Sequence, residues 1–119
     1  MIVRQSFRFE AAHRLPLHRG RCVNFHGHSY RFTITLERPV DPASGMTIDF
    51  GDIASVVESK VIEGWDHQNL NDFLENPTAE KIVMEIWSKI AVDLPDLREI
   101  ELWEMPESSV VYRGGDEPR

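Results

Sequence analysis

The chain has a single cysteine, Cys22, among its 119 residues. One thiol cannot close an internal disulfide, which excludes a stapled secreted scaffold and points to a reducing cytoplasm. No apolar run approaches the roughly 20 residues that span a bilayer. The opening stretch MIVRQSFRFEAAH also lacks the apolar block of a secretory signal. Positive charge is scarce: 13 Lys and Arg stand against 20 Asp and Glu, for a net charge of -7. That balance argues against nucleic acid as a partner, since nucleic acid selects a basic face. No repeat, low-complexity tract or linker interrupts the sequence, so one domain over residues 1–119 is expected. GGDEPR at the end is expected to be a frayed tail. Against this acidic background, HRLPLHRGR (residues 13–21) carries three arginines, two histidines and no acid.

What is present is strong periodicity. Val3, Phe7, Phe9, Ala11 and His13 share one parity in the first segment, and His28, Tyr30, Phe32, Ile34 and Leu36 share one parity in HSYRFTITLER. Side chains alternate across a strand, so each row is one face of a predicted strand. The opposite row, Ser29, Arg31, Thr33, Thr35 and Glu37, suits solvent or a partner.

Helical spacing takes over in DFGDIASVVESKVIEGW, where Phe50, Ile53, Val57 and Val61 fall on one side, with Asp49 as N-cap and Gly64 as stop. PTAEKIVMEIWSKIAVDLP repeats the pattern with Ile82, Ile86, Trp87 and Ile90, opened by Pro77 and Glu80 and ended by Pro95. REIELWE and SVVYR, separated by MPES, close the chain as two more strands. The order ββααββ predicts an α+β fold: a four-stranded antiparallel sheet with two helices packed on one face.

Both apolar rows end in histidine at the same end of the first hairpin. Antiparallel pairing would therefore gather His13, His26 and His28 into one cluster. Neutral imidazoles suit zinc, and three protein ligands leave a coordination position open for chemistry. Cys22, four residues before His26, has three readings: a fourth ligand that closes the site, a buried small hydrophobe, or a poised thiolate. WDHQNLND, where Asp66 adjoins His67, reads either as a polar turn rich in Asn and Asp or as a carboxylate that fixes an imidazole's tautomer and raises its basicity. Glu104 ends an apolar row, where a carboxylate must be solvated, paired or holding a ligand. The parallel N–H donors of a purine or pterin edge would suit it. Arg14, Arg19 and Arg21 read either as a solvated loop or as a landing site for a phosphorylated substrate. His18 faces either substrate or solvent.

Taken together, FEAAH, the later HGH, DHQNLN, NPTAE and a Glu eight residues before a Tyr (Glu104, Tyr112) occur in an order that resembles the 6-pyruvoyl-tetrahydropterin synthase family. The resemblance runs nearly end to end. It implies a tunnelling fold, in which sheets of three subunits join into a barrel and two rings stack as a homohexamer. It implies zinc on His13, His26 and His28, a catalytic Cys22, a catalytic Asp66–His67 pair and a pterin-anchoring Glu104. Thr78 and Glu80 match the family's P-T-x-E helix start. The C-x-x-x-H-G-H spacing is similar to the 6-carboxy-5,6,7,8-tetrahydropterin synthase branch, which serves queuosine (7-deazaguanine) biosynthesis. The implied substrate is 7,8-dihydroneopterin triphosphate. The biopterin branch usually has a longer gap, and a folate-type branch has Glu where Cys22 stands. One departure is Met105, where the family often has Thr. A hydroxyl contact to the pterin would then be either missing or supplied by Ser108 or Ser109.

Overall fold

The computed structural model describes residues 1–115, so the end of the expected GGDEPR tail lies outside the described residues. Strand β1 spans Ile2–His13 and β2 spans His26–Glu37. They form a long antiparallel hairpin in unbroken register from Ile2↔Glu37 to His13↔His26. Helix α1, Phe50–Val57, continues through a π-helical stretch, Glu58–Ile62, into α2, Glu63–Trp65. Strand β3 is only Gln68–Asn69. Helix α3 spans Ala79–Ile90, and β4 (Leu97–Met105) and β5 (Ser108–Tyr112) complete the fold. The sheet order is β3-β1-β2-β4-β5.

The α+β architecture expected from periodicity is therefore present, with one correction. The sheet has five strands and is mixed, because β3 pairs in parallel with β1 through Ala11↔Gln68 and Ala12↔Asn69. Two polar residues carry no alternation of apolar and polar side chains, which is why the strand leaves no sequence signal.

One face of the sheet is dry. Phe9, Tyr30, Phe32, Ile34, Ile100 and Leu102 are buried against Ile53, Val57, Val61 and Trp65 of the first helical rod and Ile82, Ile86 and Ile90 of α3. Phe9 stacks on Tyr30 with ring centroids 4.9 Å apart, so the hairpin's aromatic row is packed directly beneath its histidine end. The other face carries the even positions of β1 and the odd positions of β2 and β4.

The cap expected at Asp49 is present, and α3, expected to open at Pro77 and Glu80, is capped by Thr78. Asp49 accepts from the Gly51 N–H at 2.6 Å and Thr78 from the Lys81 N–H at 3.1 Å, each filling an otherwise unpaired donor of a first turn. Two details differ from expectation. Phe50 is 57% exposed, because it is the first residue of α1 and burial begins one turn later at Ile53. Gly64 does not stop the helix, which runs on to Trp65. Asp66 is extended, and His67 takes the left-handed turn at φ 62° in place of a glycine.

Candidate active site and metal centre

Pairing β1 with β2 places His13 opposite His26 and Ala11 opposite His28. Parity then turns all three imidazoles to the face that, farther along the strands, is the core. His13 is fully buried, and His26 and His28 are half-buried. One ligand nitrogen from each ring lies within 4.8 Å of the others. Among the described residues this is the one group of three or more His, Cys, Asp or Glu so arranged.

The tautomers are set from outside the cluster. His13 Nδ1 lies 2.7 Å from the Pro77 carbonyl oxygen, and His26 Nδ1 lies 2.8 Å from the Asn24 carbonyl oxygen. A carbonyl only accepts, so both Nδ1 atoms carry the proton and donate it. Both Nε2 atoms then present bare lone pairs to each other across 2.9 Å. Such an approach is repulsive unless a cation or a proton sits in the middle. His28 Nε2 is buried with no hydrogen-bond partner, although an unpaired buried polar atom costs about 1–3 kcal/mol. Burial first, then the neighbouring imidazoles, pushes the His28 pKa down to about 4, and burial also lowers that of His13. His13 and His28 are thus biased toward the neutral form that a metal ligand needs. A tetrahedral zinc with Zn–N bonds near 2.0–2.1 Å needs N···N separations of about 3.3 Å, which the spread of 2.9 to 4.8 Å brackets. The donor set, the fixed tautomers and the orphaned Nε2 all fit a divalent cation.

The Tyr30 hydroxyl is a partner that residue typing missed. It lies 3.1 Å from His13 Nδ1, and burial, then the Glu104 charge, raises its pKa, so it stays a neutral phenol. Its position two residues after His28, on the same row, was the available signal. Contacts behind a metal ligand typically shift affinity 10–100-fold. Tyr30→Phe is therefore expected to weaken divalent-metal binding at this cluster about tenfold, at the low end because Pro77 still holds the ring. Competition against a chromophoric chelator measures this, and an unchanged dissociation constant would deny the hydroxyl any part in positioning His13.

Asp66 and His67 sit where the first helical rod meets β3. Asp66 Oδ2 lies 3.1 Å from His67 Nδ1, and Asp66 Oδ1 accepts from the Glu10 N–H at 2.9 Å. The latter bond is the main cause of a lowered Asp66 pKa. The His67 N–H in turn donates to the Glu10 carbonyl, so the pair is pinned to β1 by backbone on both sides. The His67 side chain is 76% exposed and lines an open cleft of about 490 Å³ together with Glu10, Ser29 and His28.

Glu104 is half-buried near the end of β4. Burial, then the Glu80 carboxylate, raises its pKa, while His26 opposes the shift. It lines a second cleft, of about 670 Å³, that also reaches His28. His28 therefore borders both spaces, one shared with His67 and one with Glu104. Cys22 lies in a short turn, Arg21–Val23, half-buried. It is outside the histidine group and lines neither cleft, and Arg14, Arg19 and Arg21 are exposed and line neither. The β1 end of that loop is stapled by Asn71, whose side chain accepts from the Arg14 N–H at 2.8 Å and donates to the Arg14 carbonyl at 3.0 Å.

The family model described as 6-pyruvoyl tetrahydropterin synthase matches residues 2–115. The chain belongs to that family. Among 6-pyruvoyl tetrahydropterin synthase relatives, it is 35% identical over 118 residues to the Synechocystis protein named 6-carboxy-5,6,7,8-tetrahydropterin synthase, covering 93% of this chain and 92% of that one. It is 33% identical over 105 residues to the 6-pyruvoyl tetrahydrobiopterin synthase of Drosophila melanogaster, covering 80% of this chain and 62% of that protein. Its fold superposes on the Caenorhabditis elegans 6-pyruvoyl tetrahydropterin synthase structure with a TM-score of 0.87 at 27% identity, covering 97% of this chain and 96% of the other. The single-chain α+β fold expected from the motifs is the one this family member adopts, and these relatives are named as pterin synthases.

Proposed function

We propose that this chain is a zinc-dependent carbon–carbon lyase. It would convert 7,8-dihydroneopterin triphosphate to 6-carboxy-5,6,7,8-tetrahydropterin, acetaldehyde and triphosphate, a step of queuosine (7-deazaguanine) biosynthesis. The observation that carries this choice within the family is the end-to-end likeness to the Synechocystis protein of that name. The short C-x-x-x-H-G-H spacing from Cys22 to His28 supports it.

In this reading His13, His26 and His28 hold zinc, which when bound polarises the substrate's side-chain hydroxyls and makes them more acidic. Cys22, as thiolate, removes a proton from the side-chain carbon next to the ring. His67, oriented by Asp66, moves protons on the opposite side. Glu104 accepts the paired N–H donors of the pterin edge. Its half-buried carboxylate gains from such donors what it loses in hydration, and the ring is thereby fixed relative to the reacting carbons. Arg14, Arg19 and Arg21 attract the triphosphate from solution, an effect that fades with salt. The working unit is a cytoplasmic homohexamer of single-domain chains, a dimer of trimers.

Product identification by mass spectrometry tests the reading. Zinc-loaded protein, incubated anaerobically with 7,8-dihydroneopterin triphosphate, is expected to release acetaldehyde and 6-carboxytetrahydropterin. A 6-pyruvoyl product without acetaldehyde would move the chain to the biopterin branch. Intact substrate beside bound zinc would leave a pterin-binding protein without this chemistry.

A further inference from the structure

The open face of the sheet carries a feature that the histidine site does not use. Arg8 on β1 and Arg31 on β2 are direct cross-strand partners. Like charges placed opposite one another on a sheet destabilise it, and this chain, with a net charge of -7, has acids in surplus with which to avoid the arrangement. Arg31 is stacked on Trp103 of β4, with the guanidinium carbon 4.0 Å from the ring centroid. Arg31 pairs in register with Trp103, so the three side chains share one level of the sheet. The neighbouring carboxylates on that face are bonded elsewhere: Glu10 to Ser29 at 2.6 Å, Glu101 to Ser109 at 2.8 Å and Glu99 to Arg113 at 3.1 Å. Among the described residues Arg8 has no ion-pair or hydrogen-bond partner, and Arg31 has only the indole.

Both arginines line the larger cleft, of about 670 Å³, with Trp103, Ser29, Glu104 and Glu107. The register gives this cleft two unlike ends. The arginines stand at the level of Trp103, while Glu104 and Glu107 lie one and four residues farther along, toward His28. A guanidinium pre-oriented by stacking on an indole presents its N–H fork outward, the geometry that matches phosphate oxygens.

We propose that Arg8 and Arg31, supported by Trp103, form an anion site on the open sheet face that takes the phosphate groups of a small phosphorylated molecule. The two opposed cations are tolerated because a multiply charged anion bridges them. The site does not rest on the proposed lyase reaction. The phosphates it takes belong either to a free polyphosphate or to the tail of a ligand whose other end lies toward Glu104.

The test is titration of the metal-loaded protein with inorganic tripolyphosphate, read by tryptophan fluorescence, since an anion on Arg31 perturbs the stacked Trp103. Arg8→Gln and Arg31→Gln are each expected to raise the dissociation constant about tenfold or more, the loss of one charge-assisted contact. An Arg14→Gln/Arg19→Gln/Arg21→Gln variant is expected to lose only the long-range attraction, so that it binds as the parent does once salt screens that attraction, while the loss in Arg8→Gln and Arg31→Gln persists. Chelation of the bound metal by the probe would be equal in all variants and is separated in that way. Parent-like binding by both single variants, no binding to the parent at millimolar probe, or a loss confined to the loop variant would each overturn the proposal. Competition between tripolyphosphate and 7,8-dihydroneopterin triphosphate assigns the phosphates to a substrate tail, and simultaneous binding assigns them to a separate molecule. Tripolyphosphate has no ring, so binding without turnover would sink the lyase reading and leave this site standing. Turnover with unaltered binding in both arginine variants would do the reverse.

Discussion

Replacing His28 by alanine is expected to empty the metal centre. Its Nε2 is the one imidazole nitrogen of the cluster that is buried without a partner, so ligation is the role its surroundings give it. A four-coordinate zinc site is worth on the order of 10–16 kcal/mol in apparent binding free energy, so one ligand accounts for about 3 kcal/mol. Loss of His28 then weakens zinc by roughly a hundredfold or more. His13 and His26 remain, still tethered to Pro77 and Asn24, but they offer two lone pairs rather than three. Metal analysis after dialysis against a weak chelator reads the effect directly. Stoichiometric zinc in His28→Ala would mean that the cluster is not the metal centre. Far-ultraviolet circular dichroism separates this from misfolding, since β1 and β2 are held by the aromatic row beyond the histidines.

The second large effect belongs to Cys22, and it should move the opposite quantity. On the proposed mechanism Cys22→Ala keeps zinc and assembly but lowers turnover by about 10²–10⁴-fold, the usual contribution of a positioned acid or base. The geometry sharpens the contrast, because Cys22 is outside the group of three histidines. Parallel measurement of kcat and zinc content on one preparation decides it. Loss of zinc together with activity would make the cysteine a ligand and remove the thiolate from the mechanism. Full turnover in the alanine variant would remove it altogether.

Much of this centre could be read from the chain because strands translate parity into faces. His13 and His28 sit on rows that also carry Phe9, Ala11, Tyr30 and Phe32, and the row alone tells where the imidazoles point. The cap at Asp49 was equally legible, since side-chain oxygens serving first-turn N–H groups have few substitutes, whereas Thr78 was visible only as part of the P-T-x-E helix start. What escaped was backbone chemistry. The carbonyls of Pro77 and Asn24 fix two tautomers, yet a carbonyl belongs to every residue and marks none. β3 escaped for a related reason: two parallel pairs made by Gln68 and Asn69 need no apolar residue. His67 was visible as a candidate partner of Asp66, but not as the residue that turns the chain, because position and φ are settled by the Glu10 backbone across the gap.

The π-helical stretch Glu58–Ile62 sets the angular phase of that pair. Ile53, Val57, Val61 and Trp65 recur every fourth residue, and all four are at most 2% exposed. In a regular α-helix each residue advances about 100°, so every fourth residue overshoots a full circle by about 40°. Three such steps would swing Trp65 about 120° away from Ile53. Wider winding at Glu58–Ile62 takes up part of that drift and keeps the four side chains in one stripe. Wound as a regular α-helix with the same residues, the rod would pass that full drift on to everything after Glu58–Ile62. Trp65 would leave the core and Asp66 would leave the Glu10 amide, so the helix's irregular turn works as the dial that aims Asp66 and His67.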